Sequence, residues 1–335
     1  MSTIAPAAEL PAVPPAPGGT RAAKAHHALT SKWASVAALV IAVVWTVPTV
    51  GLLISSFRPQ ADVQGNGWWN FFTNPSVTLD NYRAVLKGSD TDLATYFVNS
   101  IVITVPAVII PISIATMAAY AFAWMKFPGR NILFVAVFAL QIVPIQVTMI
   151  PLLSVYANPP SYPGWVPQGW VNFAAFDHVG HIWPRLAGGD APGGGFYTIW
   201  LSHSIFALPL AIYLLHNFMK EIPGELIEAA RVDGAGHVRI FTRIMLPLMA
   251  PAIAAFGIFQ FLWVWNDLLV ALVFGGGSLD ISPLTVRLAE LSGTRGQDWH
   301  LLAAGAFVSL IVPLVVFIAG QRYFVRGLLS GSVKG

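Results

Sequence analysis

Long apolar stretches separated by shorter polar segments dominate the hydrophobic pattern of this sequence. A helix needs about 20 predominantly apolar residues to cross a hydrocarbon core about 30 Å thick. Six stretches satisfy this requirement, at about residues 33–56, 97–122, 131–156, 197–219, 249–274 and 301–323. Prolines inside several of them are compatible with spanning helices, because neighbouring helices can satisfy the backbone groups that a proline frees. The pattern therefore predicts an all-α polytopic membrane protein with six transmembrane helices.

The segments outside these stretches differ in character. Residues 1–32 are rich in alanine and proline and lack apolar periodicity, which is typical of a disordered tail. Two long connections, residues 57–96 and 157–198, fall on one side of the membrane. The second is so rich in turn-forming residues that we expect a structured but irregular cap. A further connection, residues 220–247, lies on the opposite side.

The distribution of lysine and arginine predicts the orientation of the chain. If the N-terminus is cytoplasmic, 12 of the 18 basic residues lie in cytoplasmic segments and six lie in outer loops. Cytoplasmic segments of membrane proteins carry the excess of positive charge. We therefore expect both termini, the tail and the 220–247 loop in the cytoplasm.

The composition excludes several classes of protein. The chain of 335 residues is 56% hydrophobic and only 10% charged, far below the roughly 25% typical of a soluble domain. It contains no cysteine, which excludes disulfides, thiolate metal sites and cysteine nucleophiles. The basic residues are spread along the whole chain and form no patch, so nucleic-acid binding is not indicated in spite of the net charge of +3.

The sequence offers little for catalysis or metal binding. None of its lysines follows a glycine, which excludes the Gly-Lys-Ser/Thr loop that cradles ATP, so energy from ATP must come through a partner. His178 and His181 have only Asp177 as a nearby carboxylate, so ordinary loop residues are favoured over a metal site. His203 and His216 lie in a predicted span, where neutral, hydrogen-bonded histidines are more frequent than proton relays. We expect no cofactor, no metal and no enzymatic activity in this chain.

Three polar residues of the fifth predicted span are candidates for lining a solute pathway: Gln260, Asn266 and Asp267. Uncompensated polar side chains avoid lipid and seek water or a protein interior. For Asp267 there is an alternative, because it lies near the outer end of the span, where a carboxylate reaches headgroups or water.

The 220–247 loop carries the most informative pattern. Pro223 is a favourable helix start, and the segment GELIEAARV forms a small, partly apolar face. Gly234 is expected to need either a positive φ or a close backbone approach, and with Gly236 it permits a tight turn. A second short helix, at about residues 237–245, then leads to Pro247. The prediction is a rigid helix–turn–helix suited to a cleft in another protein; the alternative is an amphipathic loop on lipid.

The spacing of this loop resembles the EAA loop of ABC-importer permeases. Glu228-Ala229-Ala230 is followed after three residues by Gly234, then after nine residues by Ile244, and finally by Leu246-Pro247. The wider sequence resembles the maltose-permease-like, carbohydrate-uptake branch in FALPLAIYLLHNF, WNDLLVAL and QRYFVRGLLSGSVKG. The resemblance covers residues 33–335 as one permease domain and departs from the family in the tail and in loop 157–198.

The resemblance implies a permease subunit of a binding-protein-dependent ABC importer in the bacterial cytoplasmic membrane. It implies half of a pathway for a di- or oligosaccharide, a second permease subunit, two ATPase subunits that bind ATP and Mg²⁺, and an extracytoplasmic sugar-binding protein. The residues implied to couple to the ATPase are Glu228, Ala229, Ala230, Asp233, Gly234, Ile244, Leu246 and Pro247.

Three alternatives remain. The same architecture could import another solute, such as glycerol phosphate. An ion- or proton-coupled secondary transporter would need buried acid pairs, which the sequence does not show, and would transport without partners. A membrane enzyme is disfavoured because no catalytic constellation is present.

Overall fold

A computed structural model describes residues 32–87, 93–157, 195–275, 279–291 and 298–330. All regular secondary structure in these ranges is helical. The chain divides into two compact units, Met1–Ile54 and Ser55–Gly335. The predicted tail, most of the predicted outer loop 157–198, and with it His178 and His181, lie outside the described residues.

The first helix, α1 (Lys32–Ser56), is apolar over almost its whole length. Its large side chains are exposed: Leu39 by 65% and Trp45 by 82%. A helix that is apolar on all sides needs an apolar environment. Its extent agrees with the predicted span 33–56.

Twelve further helices follow in the described part of the second unit. They are α2 (Gln60–Gly65), α3 (Asp80–Lys87), α4 (Leu93–Trp124), α5 (Arg130–Ala139), α6 (Ile145–Ala157), α7 (Phe196–Glu221), α8 (Gly224–Val232), α9 (His237–Ile240), α10 (Leu246–Trp265), α11 (Leu269–Phe274), α12 (Leu284–Leu291) and α13 (Trp299–Ser330). Short 3₁₀ turns occupy Trp68–Phe72, Leu140–Ile142 and Leu279–Ile281.

The central helices α4 and α7 run parallel. Phe122, near the end of α4, shares a buried apolar cluster with Met219, near the end of α7. Ile103 and Ile199, near the two starts, share another. Parallel neighbours require that the chain between them returns across the membrane, so α5 and α6 together make one crossing. With α1, α4, α7, α10 and α13, the described chain has up to six helices or helix pairs that are long and apolar enough to cross a membrane, which agrees with the prediction.

The third crossing is not the continuous helix expected for residues 131–156. The axes of its two halves differ by 103°. Val143, which precedes Pro144, is extended, with φ −74° and ψ 121°. A proline disfavours helical geometry in the residue before it and lacks the N–H that would continue the helix. The break therefore follows from Pro144.

The fifth crossing is also shorter than the predicted span 249–274. Helix α10 ends at Trp265, and α11 starts again at Leu269. The Asp267 carboxylate accepts hydrogen bonds from the backbone N–H groups of Val270 (2.9 Å) and Ala271 (3.3 Å). These two donors belong to the first turn of α11, so Asp267 stabilises the start of a new helix instead of continuing the old one.

The predicted outer loop 57–96 is largely ordered by polar contacts to the backbone. Arg58 is only 2% exposed and donates to the carbonyl of Gly67 at 3.0 Å. Asn81 of α3 donates to the carbonyls of Ser56 and Arg58 at 2.9 and 2.8 Å. Asn99 of α4 similarly holds the segment before α12. These segments pack against the ends of the spanning helices.

Candidate functional site

The 220–247 loop contains the predicted helix–turn–helix, with a defined turn between α8 and α9. The backbone N–H of Gly234 bonds to the carbonyl of Arg231 at 3.0 Å, and that of Ala235 bonds to Ala230 at 2.9 Å. This pair of bonds is the Schellman arrangement, which places one residue in the left-handed region. Gly234 is that residue, with φ +78°, and a Cβ atom there would meet nothing within 4 Å. Of the two expectations for Gly234, positive φ is therefore the correct one.

Helix α8 has one buried and one exposed face. Ile227 is 2% exposed and Ala230 is 9% exposed, and both join the apolar cluster that contains Met219. Leu226 is 46% exposed and Val232 is 88% exposed. The three remaining predicted coupling residues of this helix and its end, Glu228, Ala229 and Asp233, are also exposed. The surface of α8 thus combines apolar and acidic side chains on a rigid support.

The second half of the loop continues directly into a spanning helix. The expected short helix ending before Pro247 is instead α9, followed by a π-type turn at Phe241–Met245 and then α10. Pro247 has no N–H to donate into the preceding turn, and such wide turns accommodate a missing bond. Ile244 is partly buried, Leu246 is half-buried and Pro247 is exposed. Residues 237–265, the second half of the loop together with α10, therefore form one nearly unbroken rod.

Side chains from α4 hold the loop in place. The hydroxyl of Tyr120 lies 2.9 Å from Nδ1 of His237, and its ring meets that of Phe241 edge-on at 5.3 Å. At the start of α8, a Cβ on Gly224 would lie 3.8 Å from the Trp124 ring. Sequence reasoning missed these contacts, because Tyr120 and His237 are 117 positions apart and neither has a distinctive local pattern.

Gln260 occupies a different environment, in the C-terminal half of α10. Its side chain is fully buried, and its Nε2 donates to the carbonyl of Ala107 in α4 at 3.3 Å. Its Oε1 has no hydrogen-bond partner among the described residues. Gln260 lines a cavity of about 190 Å³ together with Gln141 and Trp263.

A second cavity, of about 390 Å³, lies beside the first and follows the break in the third crossing. The two cavities share Gln141, Ile145 and Phe206. Thr148 adds one hydroxyl to the second, and the described lining of both contains no charged side chain.

The other two predicted pathway residues do not line these cavities. Asn266 is exposed, and its Nδ2 donates to the carbonyl of Leu262 in its own helix at 2.7 Å. Asp267 holds the start of α11, and its Oδ2 lies 3.7 Å from Nε2 of His203, a histidine whose Nδ1 has no partner in the described chain. The structure therefore does not bring Gln260, Asn266 and Asp267 together. Among the described residues, no three metal-binding side chains cluster closely enough to hold an ion.

Comparison with known proteins identifies the family. Residues 111–330 match the family described as "binding-protein-dependent transport system inner membrane component". The chain belongs to this family. It is a permease, and the family together with the apolar helices makes it a multi-pass membrane protein of a binding-protein-dependent ABC importer.

Two relatives and one solved structure illustrate this membership. The permease is 52% identical over 303 residues to the osmoprotective compounds uptake permease protein GgtD of Synechocystis sp., covering 89% of this chain and 91% of that protein. It is 49% identical over 263 residues to the alpha-glucoside transport system permease protein AglG of Rhizobium meliloti, covering 78% of this chain and 62% of that protein. Its fold matches a chain of a bacterial ABC transporter involved in import of the acidic polysaccharide alginate, with a TM-score of 0.61, 19% identity, and coverage of 92% of this chain and all of that chain (100%).

Proposed function

We propose that this permease forms half of the membrane pathway for an uncharged di- or oligosaccharide and couples that pathway to ATPase subunits through the 220–247 loop. The other half comes from a second permease subunit, and the sugar comes from an extracytoplasmic binding protein. ATP and Mg²⁺ are bound by two cytoplasmic ATPase subunits, because this chain has no Gly-Lys-Ser/Thr sequence. Both termini and the loop are cytoplasmic, in keeping with the 12 to six distribution of basic residues.

The observation that carries the coupling role is the construction of the loop. Its α8 face presents Leu226, Ala229 and Val232 to a partner, while Ile227 and Ala230 anchor it to the membrane helices. An exposed apolar patch rimmed by charge is typical of a protein–protein contact. Because α9 continues into α10, a displacement of the loop by a partner is transmitted to the spanning helix.

The sugar assignment is supported by the uncharged lining of the two cavities and by the alpha-glucoside relative. A phosphate ester such as glycerol phosphate is bound in proteins by arginine or lysine, because a buried anion without a counter-charge is costly. The described lining offers no such cation, which favours the neutral solute.

The decisive experiment for coupling exploits the positive φ of Gly234. A β-branched residue in the left-handed region costs at least about 1–2 kcal/mol, whereas asparagine tolerates it. We expect Gly234→Val to insert in the membrane but to lose ATPase recovery on affinity-purified permease and to lose sugar uptake. Gly234→Asn, with a side chain of similar size at the same position, should retain both.

The matched pair separates backbone conformation from side-chain bulk. Normal uptake and ATPase recovery in the Gly234→Val variant would show that the loop is not the coupling element. Equal loss in both variants would mean that bulk at this surface, rather than the turn, is decisive. Gly236→Val supplies a further control, because Gly236 has φ −74° and ψ 169°, which any residue adopts.

A further inference from the structure

The side-chain amide of Gln260 has an acceptor atom that no described residue of the protein uses. The residue is 0% exposed, and its Oε1 finds no donor in the described chain, while its Nε2 makes one long bond to α4. Buried polar atoms almost always have a partner, so an unpaired acceptor beside a cavity points to a donor that comes from a bound molecule.

The space beside Gln260 is suited to a small organic molecule rather than to a single water molecule. The adjoining cavity of about 190 Å³ is several times the roughly 30 Å³ that one water occupies in the liquid. It shares the lining residues Gln141, Ile145 and Phe206 with the adjoining cavity of about 390 Å³. Ligand sites in proteins span about 300–1,000 Å³, so the combined space has an ordinary size for one.

The lining restricts the chemistry of the occupant. It is mainly apolar, with the amides of Gln141 and Gln260, the hydroxyl of Thr148 and the indole N–H of Trp263 as its polar elements. Without a charged side chain it offers no counter-ion to a phosphate, a carboxylate or a quaternary ammonium group. A ring with hydroxyl groups at its edge and C–H groups on its faces satisfies both the free acceptor and the apolar walls.

We propose that these two cavities form a solute subsite within this subunit, in which Oε1 of Gln260 accepts a hydrogen bond from a hydroxyl of an uncharged sugar ring. Trp263 provides the apolar wall for that ring, and the second cavity holds the next ring of the chain. This proposal rests on the proposed function as an importer permease, and it assigns a binding site to a single subunit rather than to the pathway as a whole.

The first test is uptake kinetics with the complete importer in proteoliposomes, using radiolabelled maltose, trehalose and sucrose as probes. Gln260→Met keeps the side-chain length and removes the acceptor. Loss of one hydrogen bond to the solute should raise KM about three- to tenfold for the transported probe. ATPase recovery on purified permease should remain normal.

Gln146→Met is the matched control. Gln146 is exposed on α6 and lines neither cavity, so its KM should stay at the wild-type value. An unchanged KM in Gln260→Met, or an equal rise in both variants, would overturn the subsite. Failure of the wild-type importer to take up any of the three sugars is a different result, since it would contradict the proposed sugar import itself.

The second test uses the absence of natural cysteine in the chain. A cysteine at position 141 should react with a maleimide more slowly when the transported probe is present at high concentration. A cysteine at position 147, which replaces a valine that is 65% exposed and lines neither cavity, should react at the same rate with or without the probe. Protection at position 141 that persists in the Gln260→Met background at the same probe concentration would overturn the role of Gln260.

Discussion

Helices α7 and α10 each pass through two regions, one densely packed and one that contains cavities. At the loop end, apolar side chains from α4, α7, α8 and α10 interlock around Met219 and Met245, both 0% exposed. Farther along the same helices, the third crossing is broken at Pro144, Gln260 has an unpaired acceptor and two cavities open. Densely packed interiors move as units, whereas broken helices beside cavities rearrange at low cost. Under the proposed function, this contrast assigns the transmission of movement to the first region and the response to the second.

The largest expected effect distinguishes the two faces of α8. Ile227→Ala removes a side chain that is 2% exposed, and such truncations cost about 2–5 kcal/mol. We expect a clear fall in the apparent Tm of the purified permease. Val232→Ala, at a position 88% exposed, should leave the Tm unchanged but reduce ATPase recovery. A lower Tm in the Val232→Ala variant would contradict the conclusion that this exposed face does not contribute to the stability of the permease.

Substitution of two alanines that lie one turn apart on α7 compares the packing of the two regions directly. Ala211 is 0% exposed within the loop-end cluster, so Ala211→Leu overpacks the interior and should lower the apparent Tm, at a cost of about 1–3 kcal/mol. Ala207 lines the smaller cavity, so Ala207→Leu should be accommodated without loss of Tm while it reduces sugar uptake. Equal falls in Tm would show that both regions are packed alike.

The smallest expected effect concerns the contact between Tyr120 and His237. Tyr120→Phe removes one hydrogen bond, worth about 0.5–1.5 kcal/mol, and leaves the ring packing intact. We expect a small decrease in the apparent Tm and weaker stimulation of ATPase activity by the loaded binding protein. Tyr213→Phe is the control, because Tyr213 stacks on Phe138 in a contact that needs only the ring. Identical behaviour of the two variants would leave no coupling role for the Tyr120 hydroxyl.

The sequence predicted those features that depend on local pattern. Hydropathy located six crossings, because a spanning helix must be apolar over its full length whatever its neighbours are. The spacing around Gly234 predicted a turn and either a positive φ or a close backbone approach at this residue, and its φ of +78° agrees with the first of these. The predicted helix bounds were less accurate where a capping residue or a proline ends a helix inside an apolar stretch.

The features that the sequence did not predict depend on contacts between distant segments. Pro144 was expected to be tolerated inside a span, and its effect became visible only through the 103° bend. The sequence pattern indicates that Asp267 is an acidic residue inside a membrane span. In the structure, its carboxylate accepts hydrogen bonds from the first turn of α11. Gln260 was proposed on polarity alone, and only the packing of α4 against α10 shows that one of its two polar atoms is satisfied.

The uncharged lining beside the bent crossing also concerns the electrical integrity of the membrane. An ion that entered this space would lose its hydration shell and find no compensating charge among the described lining residues, a penalty that amounts to several kcal/mol per ion even after relaxation. A hydroxylated neutral solute carries no such penalty. In the proposed sugar pathway, a lining of this composition opposes the leakage of protons and sodium, so that solute uptake does not dissipate the membrane potential.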